Sequence, residues 1–240
     1  MNETVTFNDV VLSDLYTIIN VHRPMAGMTN ETQEISGFDG TRIVGSHIPS
    51  ANITMRVIIK DMPELDRREA LHQLSAIIHT DEPKRLEFGS DNGRYYMAKF
   101  DGQPEPQEYM SATVVELTFM LEQAVLYGKT KTATVPSGGS VTFTVGGTYV
   151  TRPTIEGASI EGSNGLWGLR LDDGDVMRME ATTTARPVSI DCESRVAFYN
   201  STLVAPTPES DWFEMSPGQH TIQNDVGTGA CTVTWQEMWI

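Results

Sequence analysis

The sequence has few cysteines and no long apolar run, and each shortage excludes a class of protein. Its 240 residues include only two cysteines, Cys192 and Cys231, which are too few for a disulfide framework. We expect two reduced, buried thiols, although the sequence leaves open a pairing of the two across neighbouring strands. No apolar run approaches the roughly 20 residues of a bilayer span, and the start MNETVTFND lacks the order of a secretory signal. We therefore expect a protein that is made in the cytosol and does not insert into a membrane.

Basic residues are also scarce. Lys and Arg number 17 against 32 Asp and Glu, which gives a formal net charge of -15. Nucleic-acid binding requires Lys and Arg to neutralise phosphates, so neither half of the chain is predicted to clamp nucleic acid. An acidic surface favours solubility and would let DNA pass without sticking to it.

The usual motifs for metal, nucleotide or nucleophilic chemistry are missing as well. The chain contains no His-Glu-x-x-His, Cys-x-x-Cys, Gly-x-Ser-x-Gly, Walker-A or Rossmann spacing. The run DDGD at 172–175 resembles the start of a calcium loop but lacks the downstream Glu, which favours a solvated turn. The scattered histidines predict no metal site; they are His22, His47, His72, His79 and His220.

The segment SIDCESRVAFYN, residues 189–200, places Asp191, Cys192 and Glu193 side by side. Two carboxylates around a thiol could form part of a metal-binding site, or a cysteine nucleophile with an acidic partner. On a strand, however, Asp191 and Glu193 would share one face and Cys192 would point to the other. We therefore predict outward acids, an inward thiol, and no catalytic, cofactor-binding or metal-binding residue. Acid pairs such as this one and Asp173/Asp175 arise by chance among 32 acids, whereas a glycosidase needs two carboxylates at a fixed separation.

Local patterns in the first half predict mainly strands. Residues 5–22 are rich in Val, Ile, Thr, Tyr and Phe, which predicts short strands. The Gly, Asn, Ser and Thr of residues 23–50 predict a long extended loop. Alternating apolar residues predict longer strands at 51–60 and 111–121, and Gly-Ser-Asp-Asn-Gly at 89–93 predicts a hairpin turn.

One helix is predicted, over about residues 62–79. Asp61 is its expected cap, with Glu64 three residues later as the capping-box partner. Glu64 and Arg68 have the favourable i, i+4 spacing. The apolar stripe predicts that the helix lies on a sheet; its residues are Leu71, Leu74 and Ile78, with Ile77 beside them.

At Gly128 the pattern changes. From Lys129 onward no helical stripe occurs, and β-prone runs alternate with Gly, Pro, Asn and Asp, which is typical of a β-sandwich. We therefore divide the chain into domains 1–128 and 129–240. The candidate strands are KTATVP, SVTFTV, TRPTIEGASI, LWGLRL, VMRMEA, PVSIDC, RVAFYN, WFEM, QHTIQN and CTVTWQEMWI.

All four tryptophans lie in the second half. In a β-sandwich, tryptophans usually pack in the core or at an edge, although exposed rings also stack on sugars. Packing is therefore the predicted role and glycan contact the alternative for Trp167, Trp212, Trp235 and Trp239.

The order of several segments resembles the distal tail protein family of long-tailed phages and prophages. In the first half these are FNDVVLSD, Asp39-Gly40, ITMRVIIK, DRREALHQLSAII and KRLEF followed by YYMAKF; in the second they are GGTYVTRPTIEG, PVSIDCESRVAFYN, DWFEMSPGQHTI and TVTWQEMWI. The resemblance covers nearly the whole chain and rests on the order of the segments rather than on any one of them. One departure is His220, where Asn is expected after Pro-Gly.

The resemblance implies a structural role at the tail tip of the virion, assembled in the bacterial host cytoplasm. It implies a mostly β chain, with an N-terminal β-sandwich carrying one helix and a C-terminal galectin-like (jelly-roll) β-sandwich. It also implies a homo-hexameric ring that joins the tail tube protein to tail-tip, baseplate and receptor-binding proteins. DNA would pass through the ring without specific binding, and the family has neither catalytic residues nor cofactors to transfer.

Two other functions stay open at this point. A galectin-like sandwich suits a non-catalytic carbohydrate-binding protein, and the acid pairs suit a glycan hydrolase. The predicted loop 23–50 is long for an ordinary connection. Our hypothesis is that it reaches a neighbouring subunit or an adjacent ring.

Overall fold

The computed structural model describes residues 3–37, 39–172 and 174–240, and most of them lie in β-strands. The chain divides into two compact units. Unit 1 runs through Tyr127 and includes Ile240, and unit 2 spans Gly128–Trp239. The predicted mostly β fold is confirmed. Neither α-helix of the described chain is long and apolar enough to cross a bilayer.

Unit 1 holds the first strands and both α-helices. In chain order its elements are β1 (Val5–Phe7), β2 (Val10–Val11), α1 (Leu12–Leu15), β3 (Thr17–His22), β4 (Thr29–Glu34), β5 (Thr41–His47), β6 (Ala51–Lys60), α2 (Glu64–Ile78), β7 (Lys84–Phe88), β8 (Tyr95–Asp101), β9 (Gln107–Glu108) and β10 (Ala112–Leu121). The short strands predicted over 5–22 are present, but the helical turn α1 separates β2 from β3. The predicted extended loop over 23–50 is wrong, because β4 and β5 pair as an antiparallel hairpin.

The main sheet of unit 1 is antiparallel. Its strands lie in the order β2, β1, β7, β8, β10, β6 and β3, and β9 pairs with β10. β6 and β10 form a long ladder from Lys60 opposite Ala112 to Ala51 opposite Leu121. The alternation predicted for both strands is confirmed, since one face of each packs in the core of this unit; these residues are Ile53, Met55, Val57 and Ile59 of β6 and Val115, Leu117, Phe119 and Leu121 of β10.

Helix α2 packs on this core through its buried residues Leu74 and Ile78. The helix predicted over about 62–79 and the Glu64–Arg68 pair, at 3.3 Å, are confirmed. The predicted cap is wrong. Pro63 occupies the N-cap position without a side-chain cap, and Asp61 lies in a left-handed turn at φ 61°, outside the helix end.

Unit 2 is built from strands alone among its described residues. They are β11 (Leu126–Val135), of which unit 2 contains the part from Gly128, β12 (Ser140–Val145), β13 (Thr154–Ile160), β14 (Leu166–Leu171), β15 (Val176–Glu180), β16 (Arg186–Asp191), β17 (Val196–Tyr199), β18 (Thr202–Val204), β19 (Gly218–Val226) and β20 (Cys231–Trp239). The predicted strand WFEM is wrong, because Phe213 and Met215 are buried in an irregular segment, in which Met215 forms an isolated bridge with Thr151.

Two sheets of unit 2 enclose one apolar core, so the predicted β-sandwich is confirmed. One sheet has the order β18, β17, β16, β13, β20 and β11, and the other has the order β12, β19, β14 and β15. Both contribute to the core, whose largest members include Trp167, Phe213, Met177, Met179, Ile155 and Trp235.

Gly128 of β11 lies directly against the Trp239 ring. A Cβ atom at Gly128 would stand 2.1 Å from Cζ3 of Trp239 and 2.6 Å from Cη2. No side chain fits there unless the indole moves, so the glycine is required by close packing rather than by its backbone angles.

Candidate functional site

Strand β16 ends at Asp191, and the next residues form a turn. The Asp191 carboxylate accepts hydrogen bonds from the N–H groups of Glu193 and Ser194, at 2.9 and 3.2 Å, and from the Ser194 hydroxyl at 2.7 Å. Burial raises the pKa of Asp191, but the hydrogen bonds outweigh it and lower the pKa below its ordinary value. The predicted strand face shared by Asp191 and Glu193 is therefore wrong, because Asp191 stabilises a turn at which the strand stops.

Glu193 points to Arg152. An Arg152 terminal nitrogen lies 3.1 Å from a Glu193 carboxylate oxygen, and the Arg152 Nε donates to Glu214 at 2.7 Å. The Glu214 hydrogen bond is the largest cause that raises the pKa of Arg152, with Glu193 adding to it. Both carboxylates are thus held as acceptors for one guanidinium. Asp191 and Glu193 therefore have separate structural partners, Asp191 in its own turn and Glu193 at Arg152.

Both cysteines lie in the core of unit 2 as free thiols. The prediction of reduced, buried thiols is confirmed, and so is the inward position of Cys192, which is 0% exposed. Burial raises the pKa of Cys192 to about 11 and that of Cys231 to about 12. Because the thiolate is the reactive form, neither sulfur is poised as a nucleophile at neutral pH.

Asp172 of the DDGD run stabilises a turn. Its carboxylate accepts from the Thr221 N–H at 2.8 Å and contacts the buried His220 ring at 2.9 Å. Burial raises the pKa of Asp172, while Thr221 and His220 lower it to below its ordinary value. Asp173 lies outside the described residues, so the Asp173/Asp175 pair has no structural description. Across residues 3–37, 39–172 and 174–240, no cluster of three His, Cys, Asp or Glu could hold a metal ion.

The tryptophans pack, as predicted. Trp167 and Trp235 are buried, and the Trp235 ring stacks on Phe143 with 4.4 Å between centroids. Trp212 is half-buried against the same core, and Trp239 covers Gly128. The glycan-stacking alternative therefore gains no support from these rings.

The β4–β5 hairpin is the feature that the sequence reading missed. It forms a two-stranded sheet of its own, from Thr29 opposite His47 to Glu34 opposite Thr41. Its side chains are almost all exposed, including Ile43 at 59% and Val44 at 56%. Asp39-Gly40, which is typical of a tight turn between two Thr-containing polar runs, was the signal that could have revealed it.

Comparisons with known proteins match both units to phage tail domains. A family model described as "Phage tail protein RIFT-related domain" matches residues 8–121, and one described as "Siphovirus-type tail component, C-terminal domain" matches residues 146–239. The comparison with curated protein sequences gives no significant match.

Solved structures share the fold along the whole chain. The Dit protein of phage SPP1, described as a paradigm of the hub adsorption apparatus in phages infecting Gram-positive bacteria, matches with a TM-score of 0.81 and 18% identity, over 99% of both chains. A chain of the phage P2 baseplate, in its activated conformation with Ca, matches with a TM-score of 0.50 and 8% identity, over 99% of this chain and 98% of that one. With two tail-domain matches in consecutive order, the chain belongs to the distal tail protein family of siphophages and is a component of the phage tail.

Proposed function

We propose that the chain is a non-catalytic hub at the distal end of the tail. Six copies form a ring that joins the tail tube protein to tail-tip, baseplate and receptor-binding proteins and leaves a channel for DNA. In this proposal unit 1 builds the ring, and unit 2, as a galectin-like sandwich, contacts the other tip proteins. The observation that carries the proposal is the similarity to SPP1 Dit over 99% of both chains.

The β4–β5 hairpin supports a ring built through unit 1. An isolated two-stranded hairpin is marginally stable in water, yet this one exposes Ile43 and Val44. Exposed apolar side chains on such an element gain stability when a second surface covers them. We infer that this surface belongs to the next copy of the chain.

The charge of the chain supports a channel for DNA. Each copy carries a formal charge of -15, so a ring of six would be strongly negative. Negative charge near a passing polyanion prevents its phosphates from binding. The ring would therefore guide DNA without retaining it.

The test of the hub is the mass and shape of the purified full chain. Native mass spectrometry is expected to give a particle of six times the 26.5 kDa chain, and negative-stain electron microscopy a six-fold ring with a central opening. The measurement is repeated with purified tail tube protein, onto which the ring should stack. A chain that stays monomeric both alone and with the tube protein contradicts the hub.

Deleting residues 26–46 tests the role of the hairpin. The shortened chain is expected to keep its folded units but to give only the single-chain mass, because it lacks the contact between copies. The double substitution Ile43→Ser with Val44→Ser should weaken the ring in the same direction, whereas Thr41→Ser with Arg42→Gln, on the same strand, should leave it intact. A full ring from the deleted chain would refute the hairpin's role while leaving the hub itself open to the first test.

A further inference from the structure

Unit 2 carries a cleft on its surface. It has a volume of about 970 Å³, within the range of small-molecule binding sites. One wall is the loop after β15, residues 181–184, and another is the β17–β18 hairpin from Tyr199 to Val204. The turn at Asn164 and Gly165, the first residue of β14, Leu166, and the strand-end residues Glu180 and Arg186 complete the lining.

The loop wall is held in place before any ligand arrives. The Tyr199 hydroxyl accepts from the Thr182 N–H at 3.1 Å and donates to the Thr184 carbonyl at 3.3 Å. The Gly162 N–H donates to the Thr182 carbonyl at 2.7 Å, and the Ala181 N–H donates to Gly165 at 3.0 Å. A pre-organised wall lowers the ordering cost of binding.

Polar side chains around the cleft lack protein partners. No hydrogen bond or ion pair to another described residue involves the side chains of Asn164, Glu180, Thr183, Arg186, Asn200 and Thr202. Arg186 differs in this respect from Arg152, which contacts Glu193, and from Arg178, which contacts Asp225. The cleft therefore concentrates free hydrogen-bonding groups on one concave surface.

The chemistry of these groups selects the ligand. Amides and hydroxyls both donate and accept, Glu180 only accepts and Arg186 only donates. Their charges cancel, so a polymer with repeated phosphates would lack the cations that it needs. An apolar ligand would leave the polar groups unpaired, at a cost. A sugar offers hydroxyls for these groups and C–H faces for Leu166 and Val204, which also line the cleft.

We propose that this cleft binds an uncharged oligosaccharide without cleaving it. The proposal goes beyond the hub function and does not depend on ring formation, because every residue of the cleft belongs to one unit of one chain. A ring without glycan binding and a glycan-binding chain without a ring are thus distinguishable results.

The test uses the full chain and saturation-transfer difference NMR with trisaccharides of glucose, galactose, rhamnose and N-acetylglucosamine at millimolar concentration. At least one trisaccharide is expected to bind saturably. Glu180→Gln and Arg186→Gln should each lower the affinity about tenfold, because each removes a charged hydrogen-bonding group. Glu156→Gln and Lys131→Gln, which make the same charge changes in unit 2 outside the cleft, are the controls and should bind like the parent chain.

Three results overturn the proposal. The first is no binding of any of the trisaccharides, and the second is binding that the Glu180 and Arg186 substitutions leave unchanged. The third is preference for poly(glycerol phosphate) over all of the sugars, which would indicate an anion site. Thermal melting of each variant checks that the exposed substitutions leave the fold intact.

Discussion

Asp225 forms ion pairs with two arginines on neighbouring strands of the four-stranded sheet of unit 2. Its carboxylate lies 2.6 Å from a terminal nitrogen of Arg170 and 2.5 Å from Nε of Arg178, and its side chain is only 8% exposed. The Arg178 hydrogen bond is the largest cause that lowers the pKa of Asp225, and Arg170 adds to it. One carboxylate thus joins β19 to β14 and β15, and its removal would leave two guanidinium groups without their shared acceptor.

Cys192→Ser tests whether the Asp-Cys-Glu segment is structural. The substitution places a hydroxyl at a fully buried position, and an unsatisfied hydroxyl costs about 1–3 kcal/mol. We expect the free energy of unfolding to fall by that amount in urea titrations followed by tryptophan fluorescence, since all the tryptophans lie in unit 2. Glu193→Gln is the control and should change it little, because its ion pair is exposed. A larger loss in the control than in Cys192→Ser would contradict this view.

At the scale of elements, a strand or helix could be predicted from the sequence when one of its faces is buried. β6, β10 and α2 carry apolar residues at periods of two or about 3.6, and this pattern is local, so the sequence indicated them correctly. β4 and β5 have no buried face, so they lack that signal. The three-residue spacing between Asp61 and Glu64 also predicted Asp61 as the helix cap. Its backbone is left-handed instead, and a spacing between residues in the sequence does not reveal a backbone angle.

The cleft of unit 2 was beyond sequence reasoning for a different reason. Asn164, Glu180, Arg186 and Asn200 belong to separate strands and turns, and they come together only through the registers of several strand pairs. The sequence contains no motif that links them, and the bulge in β13 between Gly157 and Ile160 shifts the register beside Arg186. Such non-local pairing cannot be obtained from local periodicity.

Gly128→Ala tests the packing of β11. The added methyl would overlap the Trp239 ring at 2.1 Å, and overpacking of this kind costs about 1–3 kcal/mol. We expect a lower urea midpoint and a shifted tryptophan emission spectrum. Gly174→Ala is the matched control, because a Cβ there meets open space. Equal stability of the two variants would show that the indole moves aside without cost.

At the scale of the molecule, acid is expected to weaken unit 2. The folded pKa values of Asp172, Asp191 and Asp225 all lie below the ordinary value of 3.8. Groups with lowered folded pKa values contribute stability above the unfolded pKa and lose it as the pH falls through the folded pKa. The urea midpoint by tryptophan fluorescence should therefore be constant near neutral pH and drop below about pH 4.

Asp225→Asn provides the control for this pH dependence. Asparagine does not titrate, so the variant should be less stable at neutral pH and should lose less of its remaining stability on acidification. The difference between the two chains should shrink as the pH approaches 2. An identical acid loss in both chains would exclude Asp225 as a source of the effect.

The exposed β4–β5 hairpin also affects whether the proposed assembly closes into a ring or continues as an open filament. Among the described residues, β4 and β5 pair only with each other. In the proposed ring the surface of this hairpin meets a different surface on the next copy. Such a head-to-tail contact is heterologous, and it closes only when the rotation from copy to copy divides a full turn evenly. The same contact with a slightly different rotation would produce an open helical filament. Small changes where the hairpin joins the body of unit 1 would then alter the symmetry of the assembly before they altered the fold of the subunit.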